Sequence, residues 1–525
     1  MSAPAATAPA ATATATAKKA PPKPAGPWPA VFPPTVKAKA PGKVPLSEDQ
    51  VLHLLRRVTY GPTPQLVAEV HQMGAGRWLS QQLTPAKVAD KQAQKALRAF
   101  PLLNQSSQHL RRYLASINRE YGYDAMEQVQ QATLMRAVFS RRQLAEVMVA
   151  FWSNHFNVTC PSDKVWSTRH VYDATIRKHA FGSFEDLLVA VIQSPAMLQF
   201  LDNDASIGRE PNENLGRELL ELHTVGIDGG YTEKDVFNSA LTLTGWSVQD
   251  DGSDLFVLKP GYRYAGHVKV MKWQSANTDT SAGVAVGTSY LTYLAHHPHT
   301  ARHLCRKLVT RFVTDNPPVE LVAKLTKVYL DNKTQIVPVL EALFSSHEFW
   351  ASTGQKVRTP YERAVASMRG LGYHPLAGLA PDNWDDLVNH LSDLGQAPLQ
   401  WGPPNGYPDT AHYWLSTQTT VGQWNSAIAL AGGWWANGKG VAMKSMKSPQ
   451  TLLGSHFPAQ PAAGQLIDGI AQLVLGQKLP ETHRSAILYW YQERADHIPP
   501  DWKLEEDSLR TLAGLVLSGP IGGLR

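Results

Sequence analysis

Apolar residues along this chain recur three and four positions apart, the spacing of one helix face, and the period-two alternation of a half-buried strand is nearly absent. The periodic region opens at Ser47-Glu48-Asp49-Gln50, a capping box in which the serine oxygen and the glutamine amide satisfy each other's backbone donors, followed by Val51, Leu54 and Leu55. The folded body is therefore predicted to start near residue 46. Helices are predicted at about 64–82, 89–99, 105–119 and 124–157, then at 168–180 and 183–193, the last opened by Ser183 with Glu185 and Asp186 against its positive end. Within the long segment, Leu144, Met148, Phe151 and His155 stand at i, i+4, i+7 and i+11, so His155 extends an apolar stripe into the interior. Between 246 and 287 the texture changes. Ser247-Val248-Gln249, Leu255 to Leu258, Tyr262-Arg263-Tyr264 and Val268-Lys269-Val270 are β-prone runs divided by Asp-Gly and Pro-Gly turns. Helical periodicity returns by 288, with Thr300 predicted to open a helix through Phe312 and His299 just outside it; later helices are predicted at about 418–432, 463–474, 481–493 and 504–517. The pattern reads as an all-α, multi-helix body with a small antiparallel β insertion: helical parts at 46–245 and 288–525, the insertion at 246–287, and a leader at 1–45.

Polar chemistry concentrates in Pro211 to Gly226. Proline suits a first helical turn and glycine a helix end, so the stretch reads as one helix of about four turns, roughly 24 Å long. Leu215, Leu219 and Leu222 form its apolar stripe, while Asn214, Arg217, Glu218 and Glu221 share another face. Such a face is commonly solvated and laced with i, i+4 pairs. Surrounded by other helices, however, its glutamates would have to be paired, protonated or metal-bound, and each outcome makes a site. Glu218 and His223 lie about 140° apart on an ideal helix, so only a helix distortion would let both face one small site.

Composition narrows the classes. The 525 residues carry a formal charge of +6 and 43% hydrophobic residues, a globular balance that gives no reason to expect a nucleic-acid partner. Two cysteines, Cys160 and Cys305, exclude a disulfide framework and a cysteine zinc knuckle, so a divalent metal ion would need His and carboxylate ligands, and one disulfide stays open. Residues 1–45, rich in Ala, Thr, Pro and Lys, are expected to be disordered. They lack the form of a secretory signal, and no run of about 20 apolar residues spans a membrane, so the sequence as it stands reads as soluble and cytoplasmic.

Two further segments stand out. Arg302 and Arg306, one turn apart, could hold an anion, although a solvated basic face is the commoner outcome; His299 and His303 have an i, i+4 spacing found in metal sites. The loop from Trp401 to Asp409 is stiffened by three prolines, and Trp401, Tyr407, Trp414 and Trp424 surround Asn405 and Asp409. That mixture suits a sugar or another flat polar ligand, and equally an ordinary packed loop.

Taken in order, Phe151-Trp152-Ser153-Asn154-His155-Phe156, Asn212-Glu213-Asn214 with Arg217 to Gly226, Thr244-Gly245-Trp246 and Pro404-Asn405-Gly406-Tyr407-Pro408-Asp409 resemble the bacterial family called domain of unknown function 1800, over roughly residues 46–518. The resemblance implies a predominantly helical protein, export in many members, and a phosphatase- or sulfatase-like protein as a partner; it supplies no reaction. One departure is Gly266-His267-Val268-Lys269, where relatives tend to carry His-Asp before Gly and Lys.

These readings lead to an expected hydrolase acting on a polar, glycan-like or phosphorylated substrate. Glu218, Glu221, His155 and Arg217 are the catalytic candidates, with the glutamates as an acid/base pair or, together with His155 and His223, as ligands of a divalent metal ion. Asn212, Asn214, Trp401, Asn405 and Asp409 are the substrate-binding candidates. The alternatives are a non-catalytic scaffold, its polar helix a buried network that specifies packing, or a carbohydrate-binding protein.

Overall fold

Capping explains where many of the helices begin. In the computed structural model, which describes residues 46–525 apart from 119–121, 377–378, 381–383, 436–439 and 496–505, Ser47 and Gln50 form the expected capping box of the helix Glu48–Val58. Thr232 with Asp235, and Thr359 with Glu362, do the same for the helices Glu233–Leu243 and Pro360–Gly370. The predicted leader at 1–45 lies outside the described residues.

The described residues are predominantly helical, with three two-stranded antiparallel sheets. Two sheets are the predicted insertion: β1 (Trp246–Val248) pairs with β2 (Phe256–Leu258), and β3 (Val268–Val270) with β4 (Trp273–Ser275). Tyr262-Arg263-Tyr264 is not a strand. A 3₁₀ turn occupies Pro260–Tyr262, and the Arg263 guanidinium is buried, donating to the Thr242 carbonyl and to Asn277. The third sheet, β5 (His374–Pro375) with β6 (Val441–Ala442), joins segments too short to leave a period-two trace.

Two predicted helices are each split in two. Gly74, at φ +84°, separates Pro64–Met73 from Ala75–Gln82. The 124–157 segment turns a corner between the helices Tyr123–Phe139 and Gln143–His155. There the distant Asp90 carboxylate accepts from Ser140 Oγ at 2.7 Å and from the Arg141 N–H at 2.9 Å, satisfying a backbone donor that a continuous helix would have paired internally. Thr300 does not open its helix: Pro298–Phe312 is capped by His297, so His299 lies inside.

One apolar core runs from Val51 to Leu517 through most of the helices. Four helices within it, Gln143–His155, Arg169–His179, Pro298–Phe312 and Pro360–Gly370, turn polar residues towards a common space closed by the loop 396–409.

Candidate functional site

The helix ending at His155 and the loop after Trp401 are clipped together by two asparagines. Asn154 accepts from the Tyr407 N–H at 2.6 Å and donates to the Tyr407 carbonyl at 2.7 Å. Asn157 donates to the carbonyls of Trp401 and Pro403, both at 2.7 Å. Gly406 makes the approach possible. Its φ is +72°, and a Cβ there would lie 2.1 Å from the Asn154 carbonyl oxygen.

The clip forms one wall of a cavity of about 110 Å³. Glu146, Ser153, Asp173 and Arg177 line one side; Arg311, Glu362 and Asp409 line the other, with the Tyr60 and Tyr361 rings edge to face at 5.7 Å. Arg177 bridges Glu146 at 2.8 Å and Asp173 at 2.7 Å, and Arg136 approaches Asp173 at 3.6 Å. Opposite, Glu362 receives Arg311 and Arg525, each at 2.6 Å. Asp409 lies 3.8 Å from Arg311 and 3.4 Å from Lys356.

Burial alone would raise the Asp173 carboxyl, but Arg177, Arg136 and Arg169 hold it below its ordinary value. Burial opposes ionisation of Glu362 in the same way, and Arg311 and Arg525 overcome it. Both carboxylates therefore stay charged at neutral pH. Not every polar atom here has a protein partner: Ser153 Oγ, Asp173 Oδ1, Arg177 Nη2 and Arg311 Nε are buried without one. Acceptors and donors for a polar guest are thus both present.

Beside the cavity the helix Pro298–Phe312 presents His303, Lys307 and Arg311 at i, i+4 and i+8 along one face. His303 donates from Nε2 to the Leu222 carbonyl at 3.2 Å, and Lys307 Nζ lies 3.0 Å from His155 Nδ1. His155 and His223 are locked reciprocally: each ring donates to the other's backbone carbonyl, at 3.0 and 2.9 Å. Burial drives all three imidazoles neutral, with His223 lowered to about 3 and His303 to about 4.

The sequence-predicted residues are dispersed. The segment 211–226 is not one helix: Asn212 caps an α-helix at Glu213–Glu218, accepting from the Asn214 N–H, and a π turn follows at Leu219–His223. The extra residue rotates the following positions, so Leu220 and His223 are buried where Leu222 was expected to be. His223 thus meets His155 in the core. Glu218 and Glu221 are partly exposed, and Arg217 pairs with Glu213, Glu221 and the exposed Glu233. Burial, then the neighbouring Glu221, raises the Glu218 carboxyl.

Asp409 alone of the predicted residues lines the cavity. Trp401 donates to Asn405 at 2.8 Å and packs against Tyr407 at 5.0 Å, outside the cavity lining. Of the divergent tetrad, His267, just before β3, and Lys269, within it, are exposed. Among the described residues no three His, Cys, Asp or Glu side chains converge as a metal-ion ligand set, and Cys160 and Cys305 are buried and unpaired.

Glu146, Asp173, Glu362, Tyr60 and Tyr361 line the cavity without being among the candidates drawn from the sequence. A signal was present: Glu146, Val149 and Ser153 stand at i, i+3 and i+7, an inward-facing stripe beside the one that leads to His155.

Fold and pocket together define a predominantly helical protein enclosing a cavity walled by paired carboxylates and guanidiniums. The chain belongs to DUF1800, a family described as protein of unknown function, which it matches over residues 53–520. No curated protein and no solved structure matches it. No helix among the described residues is long and apolar enough to cross a membrane.

Proposed function

We propose that this chain is a hydrolase that holds the reacting part of a polar substrate in the cavity between Glu146 and Asp409. The reading rests on one observation above all, the four buried polar atoms of Ser153, Asp173, Arg177 and Arg311 that have no protein partner. Each such atom costs about 1–3 kcal/mol when left unpaired, and a guest bearing hydroxyl, phosphate or sulfate oxygens would satisfy donors and acceptor together. The guanidiniums of Arg177 and Arg311 would orient and neutralise that group; Glu146 or Asp409 would take the proton of the attacking water.

Turnover of p-nitrophenyl phosphate, p-nitrophenyl sulfate and p-nitrophenyl glycosides by the wild type, beside a folded Asp409→Asn variant, tests this. Hydrolysis of one class that falls in the variant supports the reading; hydrolysis undiminished in the variant, or of none of the three, counts against it.

A second reading is favoured by the pairing of Glu146, Glu362 and their arginines within the chain, which suits a scaffold for an exported phosphatase- or sulfatase-like protein. Under it, a pull-down recovers that partner and the cavity variants weaken the complex without touching any turnover.

A further inference from the structure

Lys307 takes no part in the cavity's ion pairs, yet its amine is held in a definite arrangement. The His223 carbonyl can only accept, so the His155 Nε2 at 3.0 Å from it carries the hydrogen. In the neutral ring Nδ1 is then bare, and it is this nitrogen that faces Lys307 Nζ at 3.0 Å. When the amine donates one N–H to Nδ1, its own lone pair is left free. A nucleophile, a base in hydrogen-bond reach and a third group that orients the base are the working parts of an activated nucleophile.

We propose that Lys307 is a carbonyl-reactive amine, with His155 as its base and the His223 carbonyl as the orienting group, and that its ligand is an aldehyde or ketone. The amine nitrogen attacks the carbonyl carbon and forms the C–N bond. The C=O π pair moves to oxygen, His155 Nδ1 relays one proton from nitrogen to that oxygen to give the carbinolamine, and then relays a second from nitrogen to its hydroxyl, which leaves as water. The product is an imine, and addition of water reverses the sequence. No oxidant or further reactant is required. This site stands apart from the hydrolytic reading, and neither depends on the other.

The surroundings keep the amine available. His155, His223 and His303 are all neutral near pH 7, Arg306 and Arg311 on its own helix are cationic, and Asp409 is the carboxylate that opposes deprotonation. Burial is the main cause lowering Lys307, to about 8. The residue as a whole is half-buried.

The experiment is reductive trapping of the full chain with glycolaldehyde and sodium borohydride from pH 6 to 11, with occupancy at each lysine read by peptide mass spectrometry. At pH 8, Lys307 is expected to be modified at least tenfold faster than the exposed Lys95 and Lys324, with the gap narrowing as the pH rises. A folded His155→Gln variant should lose most of that advantage. Modification of wild-type Lys307 no faster than of Lys95 and Lys324 would overturn the proposal without reference to any variant, and undiminished trapping in folded His155→Gln would overturn the assignment of the base.

Discussion

Asn154 and Tyr407, 253 residues apart in the chain, exchange two hydrogen bonds through one carboxamide. This pairing sets the height of the loop over the cavity, and it needs Gly406. Alanine at 406 would have to hold φ +72° with a Cβ 2.1 Å from a carbonyl oxygen, so the loop must move. Gly406→Ala is expected to destabilise the protein by about 2 kcal/mol or more, measured by urea denaturation, whereas Gly402→Ala, with open space around its Cβ position, should cost a fraction of that.

Arg177 holds two buried carboxylates at once. Arg177→Leu leaves Glu146 and Asp173 facing each other without it, and the expected loss is about 3–5 kcal/mol. The triple change that also makes Glu146→Gln and Asp173→Asn should recover much of it. Equal denaturation midpoints for the single and triple variants would show that the pairing does not govern stability.

Acid lability should begin well above the carboxylate range. His155 and His223 are buried and neutral, with folded-state values depressed from about 6.5. In the unfolded chain both rings take up protons as pH falls below about 6.5, and in the folded protein they do not. Their stabilisation is therefore complete above that pH and is lost on the way down towards the folded values, by at most about 1.4 kcal/mol per pH unit per ring. Urea titrations at pH 7.5, 6.5 and 5.5 should show the fall, and a folded His223→Gln variant a shallower one. A flat profile across that window would contradict the neutral burial of the two rings.

Much of the fold was legible because capping and 3.6-residue periodicity are local: the Ser47 box, the Ser183 cap and the 246–287 insertion need only neighbouring residues. What escaped was set from a distance. The corner at 140–142 depends on Asp90, and the extra residue of the π turn at Leu219–His223 breaks the periodicity by which Leu222 was assigned inward. The same turn carries His223 to His155, so two candidates chosen separately meet through each other's backbone. The cavity was harder to see, since Glu146, Asp173, Arg311 and Glu362 come from four helices and no spacing along the chain marks their convergence. Asp409 was reached only through the composition of its loop.

Under the proposed function, substrate is turned over in the Glu146–Asp409 cavity and not on the Arg217–Glu221 face. The most direct measurement is kcat/KM on whichever chromogenic ester the wild type hydrolyses, compared between folded Glu146→Gln and a folded Glu218→Gln, Glu221→Gln double variant. A loss on the order of a hundredfold is expected in Glu146→Gln, with a value close to wild type in the double variant. Full activity in Glu146→Gln with activity abolished in the double variant would contradict it and move the chemistry to the Arg217–Glu221 face.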